Sequence, residues 1–367
     1  MKESMIPYER IYSNNRELTQ EEKLAREKFR SFLEHIRIRA TDHFVYPPEI
    51  LTVDEITIAT VGNFSASVGK PKSRKTFNVC AIVAALLSGK KVLNYRAKLP
   101  DGKNKVLYVD TEQSRVHCHK VLDRILRLSG LPTDHDSRNL DFLMLREFTP
   151  CERRNIIDMA LEDEPSIGFV VIDGIRDLIS DINSPGESVD IINDLMRWTN
   201  VYNIHIHTVL HLNKSDDNTR GHIGTELNNK AETVLKVVKN TYAPGISEVR
   251  PMITREKEFD SFAFQIGKDG LPETVKDFDT AEPEKVSLES ITATMHRKAL
   301  DAVFKDGNAL AYGELLESLR QEYGSLGYKR ARTSFVALIK LLTNVGVLTK
   351  QDKRYSYHPD CIIKIKE

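Results

Sequence analysis

The sequence has little cysteine, no net charge and no long apolar run, and each absence excludes a class of protein. Its 4 cysteines are too scattered for the paired spacing of a zinc site or a disulfide framework. Lys+Arg and Asp+Glu both number 53, so no overall field draws the chain to nucleic acid or to an anionic membrane. No apolar run could span a bilayer, and the amino terminus lacks the apolar segment of a signal peptide. We therefore expect a cytoplasmic protein with no membrane contact.

The composition is that of a globular protein, because 40% of the residues are hydrophobic and 29% are charged. At 367 residues the chain is longer than one compact core usually needs, which favours more than one domain. An amphipathic helix is indicated within residues 17–39 by apolar residues at helical spacing. The predicted boundaries are 1–46 for an N-terminal helical segment, 47–268 for the main domain, 269–287 for an acidic linker and 288–367 for a small second domain.

Short β-branched runs alternate with helical stretches after Pro47 and Pro48. This rhythm is typical of a parallel sheet with crossover helices, so the main domain is predicted to be α/β. The predicted strands are 56–61, 106–110, 140–145, 169–173, 205–212 and 234–238, followed by a hairpin of 248–255 and 262–266.

A candidate phosphate-binding loop occupies residues 69–76, which read GKPKSRKT and precede an apolar helix. A helix amino terminus offers unpaired N–H groups and a partial positive charge to phosphate oxygens. Lys75 would then reach the β- and γ-phosphates, and Thr76 would bind Mg²⁺. A lysine-rich surface turn is the alternative interpretation of the loop alone. The candidate nucleotide-binding residues are Gly69, Lys70, Lys72, Ser73, Arg74, Lys75, Thr76 and Phe77.

One position of this loop departs from the usual pattern, because Arg74 stands where the motif has its second glycine. Glycine admits phosphate closely and tolerates unusual dihedral angles, whereas a residue with a Cβ does not. The arginine is therefore expected either to carry backbone strain or to add its own cation to the nucleotide.

Two carboxylates follow apolar strands later in the chain. Glu112 comes just after the strand at 106–110, and Asp173 ends the strand at 169–173. Open α/β sheets bind ligands at the carboxyl ends of their strands. Asp173 is predicted to hold Mg²⁺ together with Thr76, and Glu112 to orient and deprotonate the attacking water. Taken singly, either carboxylate is also typical of a turn or helix cap.

The order of these motifs resembles that of the RecA-like ATPases, in particular their RepA/KaiC-type branch. The resemblance covers about residues 50–268 and includes a later strand that ends in His211, Leu212 and Asn213. It implies a three-layer P-loop NTPase core that uses ATP and Mg²⁺ and assembles into homo-oligomers such as hexameric rings.

The resemblance also implies roles for residues after the last of these strands. His211 or Asn213 would sense the γ-phosphate, and Lys214 and Arg220 would lie near a subunit boundary. A cation supplied from a neighbouring subunit would come from Lys214, Arg220 or Lys236. The composition of residues 214–225 is equally that of a solvated polar loop.

Residues 62–77 are also similar to a group of bacterial mobile-element and phage-type AAA family ATPases that share the Arg-Lys-Thr loop. In that case Arg74 is a trait of the group. The departure from the ordinary loop leaves slow or conditional hydrolysis open.

The second domain is predicted to be a winged helix. Helices are indicated around 295–304, 312–322 and 328–344, and two short strands at 347–350 and 355–357 flank a polar turn. Residues 325–354 carry seven basic side chains and one acidic one, which makes a local patch for DNA phosphates. Winged helices that bind proteins are the alternative. The candidate DNA-binding residues are Lys329, Arg330, Arg332, Lys353 and Arg354.

Together these patterns predict a Mg-ATP-dependent RecA-like ATPase that acts on DNA in replication or mobilisation of a mobile element, as a helicase-like or DNA-assembly motor. The predicted catalytic residues are Glu112, Lys75, His211 and Arg220. Replication or mobilisation proteins are further candidate partners. Two alternatives stay open: a nucleotide-switched loader or regulatory module with slow or partner-dependent hydrolysis, and a KaiC-like regulator without DNA contact.

Overall fold

The computed structural model describes residues 19–213, 219, 221–240, 243–276, 278, 288, 291–328 and 330–364. The chain divides into two compact units between residues 276 and 277. Lys214, Arg220 and Lys329, three of the residues singled out in the sequence, lie outside the described residues.

The first unit contains a small sheet and a large one. The small sheet is antiparallel in the order β2-β1-β4, and the large sheet has the order β12-β11-β10-β9-β3-β8-β7-β5-β6. From β9 to β6 the neighbouring strands are parallel, whereas β10, β11 and β12 add on antiparallel. The strands are β1 (Glu49–Val53), β2 (Ile56–Thr60), β3 (Phe64–Gly69), β4 (Tyr95–Ala97), β5 (Lys105–Asp110), β6 (Leu140–Met144), β7 (Ile167–Asp173), β8 (His205–His211), β9 (Thr233–Lys239), β10 (Ile246–Thr254), β11 (Phe262–Ile266) and β12 (Pro272–Val275).

Helices cover both faces of the large sheet, because its parallel strands carry apolar side chains on both faces and each face must be buried. One apolar core joins the sheet to α2, α3 and the small sheet, and a second core joins its other face to α4, α5 and α6. The α/β prediction is confirmed. The helices of this unit are α1 (Gln20–Ile36), α2 (Lys75–Ser88), α3 (Arg115–Ser129), α4 (Pro150–Asp163), α5 (Pro185–Tyr202) and α6 (Gly221–Lys230).

The strand that leads into the candidate phosphate loop is β3, and the sequence-based assignment of residues 56–61 to that place is wrong. Residues 56–60 form β2, which pairs antiparallel with β1 in the small sheet. β3 was not predicted from the sequence, because Ser65 and Ser67 interrupt its apolar run. All six of its residues are nevertheless buried.

The two serines of β3 hydrogen-bond buried histidines of the neighbouring strand β8. The Ser65 hydroxyl lies 2.7 Å from Nε2 of His205 and 2.8 Å from Nδ1 of His207, and Ser67 Oγ lies 2.9 Å from His207 Nε2. Burial lowers the pKa of His207 to about 3, so the ring is neutral at physiological pH. The polar side chains of β3 are thus buried at a low free-energy cost, because they form hydrogen bonds with the histidines of β8.

Helix α1 begins with a capping box in which Thr19 and Glu22 bond each other's backbone N–H groups. None of its residues is buried among the described part of the chain, and Leu24 is 54% exposed on its apolar side. The helix predicted in the N-terminal segment is therefore present. None of the described helices combines the length and apolarity needed to cross a membrane.

Among its described residues the second unit has three α-helices around one apolar core, and a small sheet in the order β13-β15-β14. Two details differ from the sequence-based expectation. Residues 272–275 of the predicted linker form β12 and pair with β11, and the third helix begins at Arg332, so Arg330 precedes it. The elements are α7 (Ala293–Val303), β13 (Leu310–Ala311), α8 (Tyr312–Ser325), α9 (Arg332–Asn344), β14 (Leu348–Gln351) and β15 (Arg354–Tyr357).

The serine–histidine network generates a stability prediction. We expect Ser65→Ala to lower the free energy of unfolding of the first unit by roughly 2–3 kcal/mol, because two buried imidazole nitrogens lose their partner. The measurement is urea unfolding followed by fluorescence of Trp198, the only tryptophan, which is buried in this unit.

Ser88→Ala is the matched control, because that hydroxyl bonds a carbonyl of its own helix and is half-buried. We expect the control to change stability by less than about 0.5 kcal/mol. Equal effects of the two substitutions would contradict a structural role for the network.

Candidate active site

The carboxyl ends of β3, β5, β7 and β8 meet at one edge of the large sheet and bring the predicted site residues together. Gly69 at the end of β3 is aligned with His211 at the end of β8. Asp110 at the end of β5 is aligned with Asp173 at the end of β7. Because these strands are parallel neighbours, the turns that follow them share one edge.

The loop after β3 closes on itself through Lys75, the first residue of α2. Its ammonium donates to the carbonyl oxygens of Gly69 at 2.9 Å and Lys70 at 3.2 Å. Burial lowers the pKa of Lys75 to about 8, against the opposing pull of the Asp173 and Glu112 carboxylates. The cation is therefore held inside the loop at the amino terminus of a helix, where anions bind.

Asp173 lies at the base of the site and is 8% exposed. Its Oδ2 accepts hydrogen bonds from the hydroxyls of Tyr108 at 2.8 Å and Thr76 at 3.2 Å. Burial, followed by the neighbouring carboxylate of Asp110, raises the pKa of Asp173 to about 6. The arrangement places a hydroxyl and a carboxylate oxygen side by side, which is a suitable pair of ligands for a hard cation.

Glu112 and His211 lie beside Lys75 in the same site. His211 Nε2 lies 3.8 Å from Glu112 Oε1, and His211 Nδ1 lies 3.1 Å from Lys75 Nζ. Since an ammonium can only donate, Nδ1 accepts and the imidazole proton belongs on Nε2, facing Glu112. The imidazole lowers the pKa of Glu112, with Lys75 contributing.

The pKa values of the two carboxyl groups are therefore shifted in opposite directions from their ordinary values. Burial raises the pKa of Asp173, whereas the neighbouring His211 imidazole, with Lys75 contributing, lowers the pKa of Glu112. Such a divergence between neighbouring carboxyl groups is typical of sites that divide chemical tasks between them.

The turn after β5 fixes the position of Glu112. Asp110 accepts bonds from the backbone N–H of Glu112 at 3.0 Å and of Gln113 at 2.7 Å. Thr111 bonds the carbonyl of Gly174 at 2.9 Å, and a Cβ added to Gly174 would meet that hydroxyl at 2.1 Å. Only glycine fits at 174, where φ is also 109°, so the turns after β5 and β7 are packed as one piece.

A cavity of about 440 Å³ opens above these residues. It contains most of the predicted loop residues together with both carboxylates and His211. Its lining residues are Lys72, Ser73, Arg74, Lys75, Thr76, Phe77, Glu112, Gln113, His117, Lys120, Val121, Arg124, Asp173, Val209 and His211.

One face of α3 contributes to this cavity and was missed in the sequence. The cavity is also lined by His117, Lys120, Val121 and Arg124, and the Arg124 guanidinium lies 3.8 Å from the centre of the Phe77 ring. Their spacing of three, four and seven residues is the available signal, because it places them on one helix face just after Glu112. Tyr108 was also missed, since an apolar strand gives no hint that its hydroxyl meets Asp173.

Arg74 adopts the left-handed conformation that its place in the motif requires, with φ of 73° and ψ of 29°. For a residue with a Cβ this costs on the order of 1–2 kcal/mol. Its guanidinium donates to the carbonyl oxygen of Gly245 at 2.7 Å and to the hydroxyl of Ser247 at 3.2 Å. The strain predicted from the sequence is present, and the side chain bonds the start of β10 and the residue before it.

Several predicted residues are not in the cavity lining. Gly69 lies beneath it, where a Cβ would meet the carbonyl oxygen of Val237 at 2.3 Å, and Lys70 is exposed. Asn213 and Lys236 are described but do not line the cavity. The roles assigned to Lys214 and Arg220 remain predictions, because both residues lie outside the described ranges.

The residues present fit a magnesium–triphosphate group. Thr76 and Asp173 supply neighbouring oxygen ligands, Lys75 supplies a cation, and the absence of a Cβ at Gly69 permits the close packing of the loop. Among the described residues no group of three or more His, Cys, Asp or Glu could hold a metal. Mg²⁺ is usually bound by one or two carboxylates plus phosphate oxygens, and Asp173 and Thr76 would supply the protein ligands.

A match to one family model supports a nucleotide-binding domain here. Residues 58–217, less than half of the chain, match the family model described as AAA domain. This match supports an ATPase domain of the AAA type over that range. A solved structure titled "Crystal structure of the RadB recombinase" is similar with a TM-score of 0.42 and 19% identity, over 59% of this chain and 92% of that chain. The search of curated proteins found no match.

The buried carboxyl group generates a pH-dependent stability prediction. We expect Asp173→Asn to raise the stability of the nucleotide-free first unit by about 2–3 kcal/mol at pH 7.5, because a buried charge is removed. The folded-state pKa of about 6 lies above the ordinary value of 3.8, so ionisation destabilises the folded wild type as pH rises between them. The gain should therefore be nearly absent at pH 4 and complete above pH 7.

Urea unfolding followed by Trp198 fluorescence at both pH values measures the gain. Asp163→Asn, which removes an exposed carboxylate at the end of α4, is the control and should change little at either pH. A gain of equal size at pH 4 and pH 7.5 would contradict the raised pKa of Asp173.

Proposed function

We propose that the protein is a Mg-ATP-dependent RecA-like ATPase that acts on DNA in the replication or mobilisation of a mobile element. The observation that carries the proposal is the convergence of Lys75, Thr76, Asp173 and Glu112 on one cavity. The match to the AAA domain model supports ATP as the nucleotide. The DNA and mobile-element parts rest on the sequence patterns and on the second unit.

In this proposal each residue has a separate task. Lys75 and the helix amino terminus neutralise phosphate charge, while Thr76 and Asp173 hold the magnesium ion. Glu112, kept ionised by His211, orients the attacking water and takes its proton. His211 lies between Lys75 and Glu112, so it links the cation that meets the phosphates to the base that meets the water.

A nucleotide-switched loader or regulatory module with slow hydrolysis is the second candidate function. It is favoured by Arg74, which makes the phosphate loop depart from the glycine pattern and ties it to the segment before β10. A switch of this kind would bind ATP tightly and turn over only with a partner present. Its turnover would be negligible and unchanged by Glu112→Gln.

ATP hydrolysis tests the nucleotide site. We expect Lys75→Ala to abolish ATP binding, and Glu112→Gln to preserve binding while lowering turnover by about 10²–10³-fold, because only the general base is lost. The measurement is the steady-state ATPase rate with Mg²⁺, together with the Kd for ATP, with and without single- and double-stranded DNA.

Glu147→Gln, an exposed carboxylate in the segment before α4, is the control and should leave both quantities unchanged. Stimulation by DNA supports the motor. If wild-type protein binds no adenine nucleotide, or if Lys75→Ala binds it normally, the proposed site is wrong.

We further propose that the second unit is a winged helix that contacts DNA. Its third helix α9 begins at Arg332, and the turn between β14 and β15 presents exposed Lys353. The first turn of such a helix can enter the major groove while the turn between the strands reaches phosphates. Arg354 is a weaker candidate than the sequence indicated, because its guanidinium donates to the Ala309 carbonyl at 2.9 Å.

Charge reversal tests this surface. We expect the pair Arg332→Glu and Lys353→Glu to weaken DNA binding by at least about tenfold and to reduce the salt slope by about 1–2, since two phosphate contacts are lost. DNA affinity measured by fluorescence anisotropy at several salt concentrations gives both quantities.

The matched control reverses Lys298 and Lys305, two exposed lysines of the same unit at α7 and just after it. It makes the same change in net charge away from α9 and the β14–β15 turn. If both pairs weaken binding equally, the effect is one of net charge. If neither does, the regulator without DNA contact is favoured.

A further inference from the structure

Both ends of the proposed phosphate loop contact the hairpin formed by β9 and β10. At its beginning, Gly69 packs so closely that a Cβ would lie 2.3 Å from the carbonyl oxygen of Val237 in β9. At its end, Arg74 bonds Gly245 and Ser247 at the start of β10. The two contacts involve opposite ends of the loop and one hairpin, so the position of the loop depends on that hairpin.

The bonds made by Arg74 are of a kind that can hold a strained backbone. Its guanidinium donates to the carbonyl oxygens of Gly245 at 2.7 Å and Pro244 at 3.4 Å, and to the buried hydroxyl of Ser247 at 3.2 Å. A charged donor makes stronger hydrogen bonds than a neutral one. These bonds oppose the tendency of a residue with a Cβ to leave the left-handed region.

We propose that Arg74 is a positioning residue that ties the phosphate loop to the β9–β10 hairpin and thereby holds the left-handed turn before Lys75. This role rests on the proposed nucleotide site and differs from the role of a cation that contacts phosphate. In the usual loop glycine adopts the left-handed turn freely. Here the hydrogen bonds of the Arg74 side chain stabilise the same turn. It also makes the hairpin part of the machinery that shapes the site.

Alanine and glycine at position 74 separate these roles. Arg74→Ala loses the tether but keeps a Cβ, so the left-handed turn is no longer supported. Arg74→Gly loses the tether but adopts the turn freely. With the fluorescent analogue mant-ATP and Mg²⁺, we expect the alanine variant to bind at least about tenfold more weakly, and the glycine variant to bind within about threefold of wild type.

Amide hydrogen exchange of the nucleotide-free protein tests the tether independently of the nucleotide. We expect exchange in residues 243–250 to rise about tenfold in both variants, because both release the hairpin. Residues of β6, at the other edge of the large sheet, serve as the internal control and should exchange as in wild type. Trp198 fluorescence and its unfolding transition verify that each variant is folded.

The outcomes distinguish the proposals. Equal loss of mant-ATP affinity in the alanine and glycine variants would mean that Arg74 contacts phosphate, and would overturn a positioning role. Unchanged affinity in Arg74→Ala, or unchanged exchange in residues 243–250 of either variant, would overturn it as well. Failure of wild-type protein to bind mant-ATP would instead overturn the proposed nucleotide site, while the exchange data would still decide whether the tether exists.

Discussion

The hydrogen bonds to the Asp173 carboxylate connect the elements of the site, because their donors come from different helices and strands. Asp173 ends β7, accepts a bond from Thr76 at the start of α2 and another from Tyr108 in β5. A buried charge is costly unless it is hydrogen-bonded, and the raised pKa records the remaining cost. A buried charge with such a free-energy cost is typical of functional sites, where the charge serves to bind a ligand and not to stabilise the fold.

The rest of the site is arranged around this carboxylate by backbone geometry. The paired ends of β5 and β7 put Asp110 beside Asp173, and Gly174 lets the following turns pack against Thr111. Glu112 is therefore placed by its neighbours, while its pKa is set by His211 from β8. The pKa values of two carboxyl groups on adjacent turns differ because one group is buried and the other meets His211 and Lys75.

The candidate phosphate loop departs from the sequence motif and keeps the backbone shape that the motif requires. Arg74 occupies the backbone conformation for which glycine is usual, and its side chain bonds a segment about 170 residues later in the chain. The departure makes a local conformation depend on a tertiary contact. The antiparallel strands β10, β11 and β12 thus extend the sheet and also bring a hairpin to the loop.

The sequence by itself determined the α/β alternation, the loop, the two carboxylates and the three helices of the second unit, because each has a local signal of period, composition or strand-end position. Only the tertiary structure decided that β3 and not residues 56–61 leads into the loop, since its serines are satisfied by histidines 140 residues or more away. The same holds for Tyr108, for the α3 face and for the direction of Arg74. Each depends on which distant groups meet it, and that information is not contained in the local order of residues.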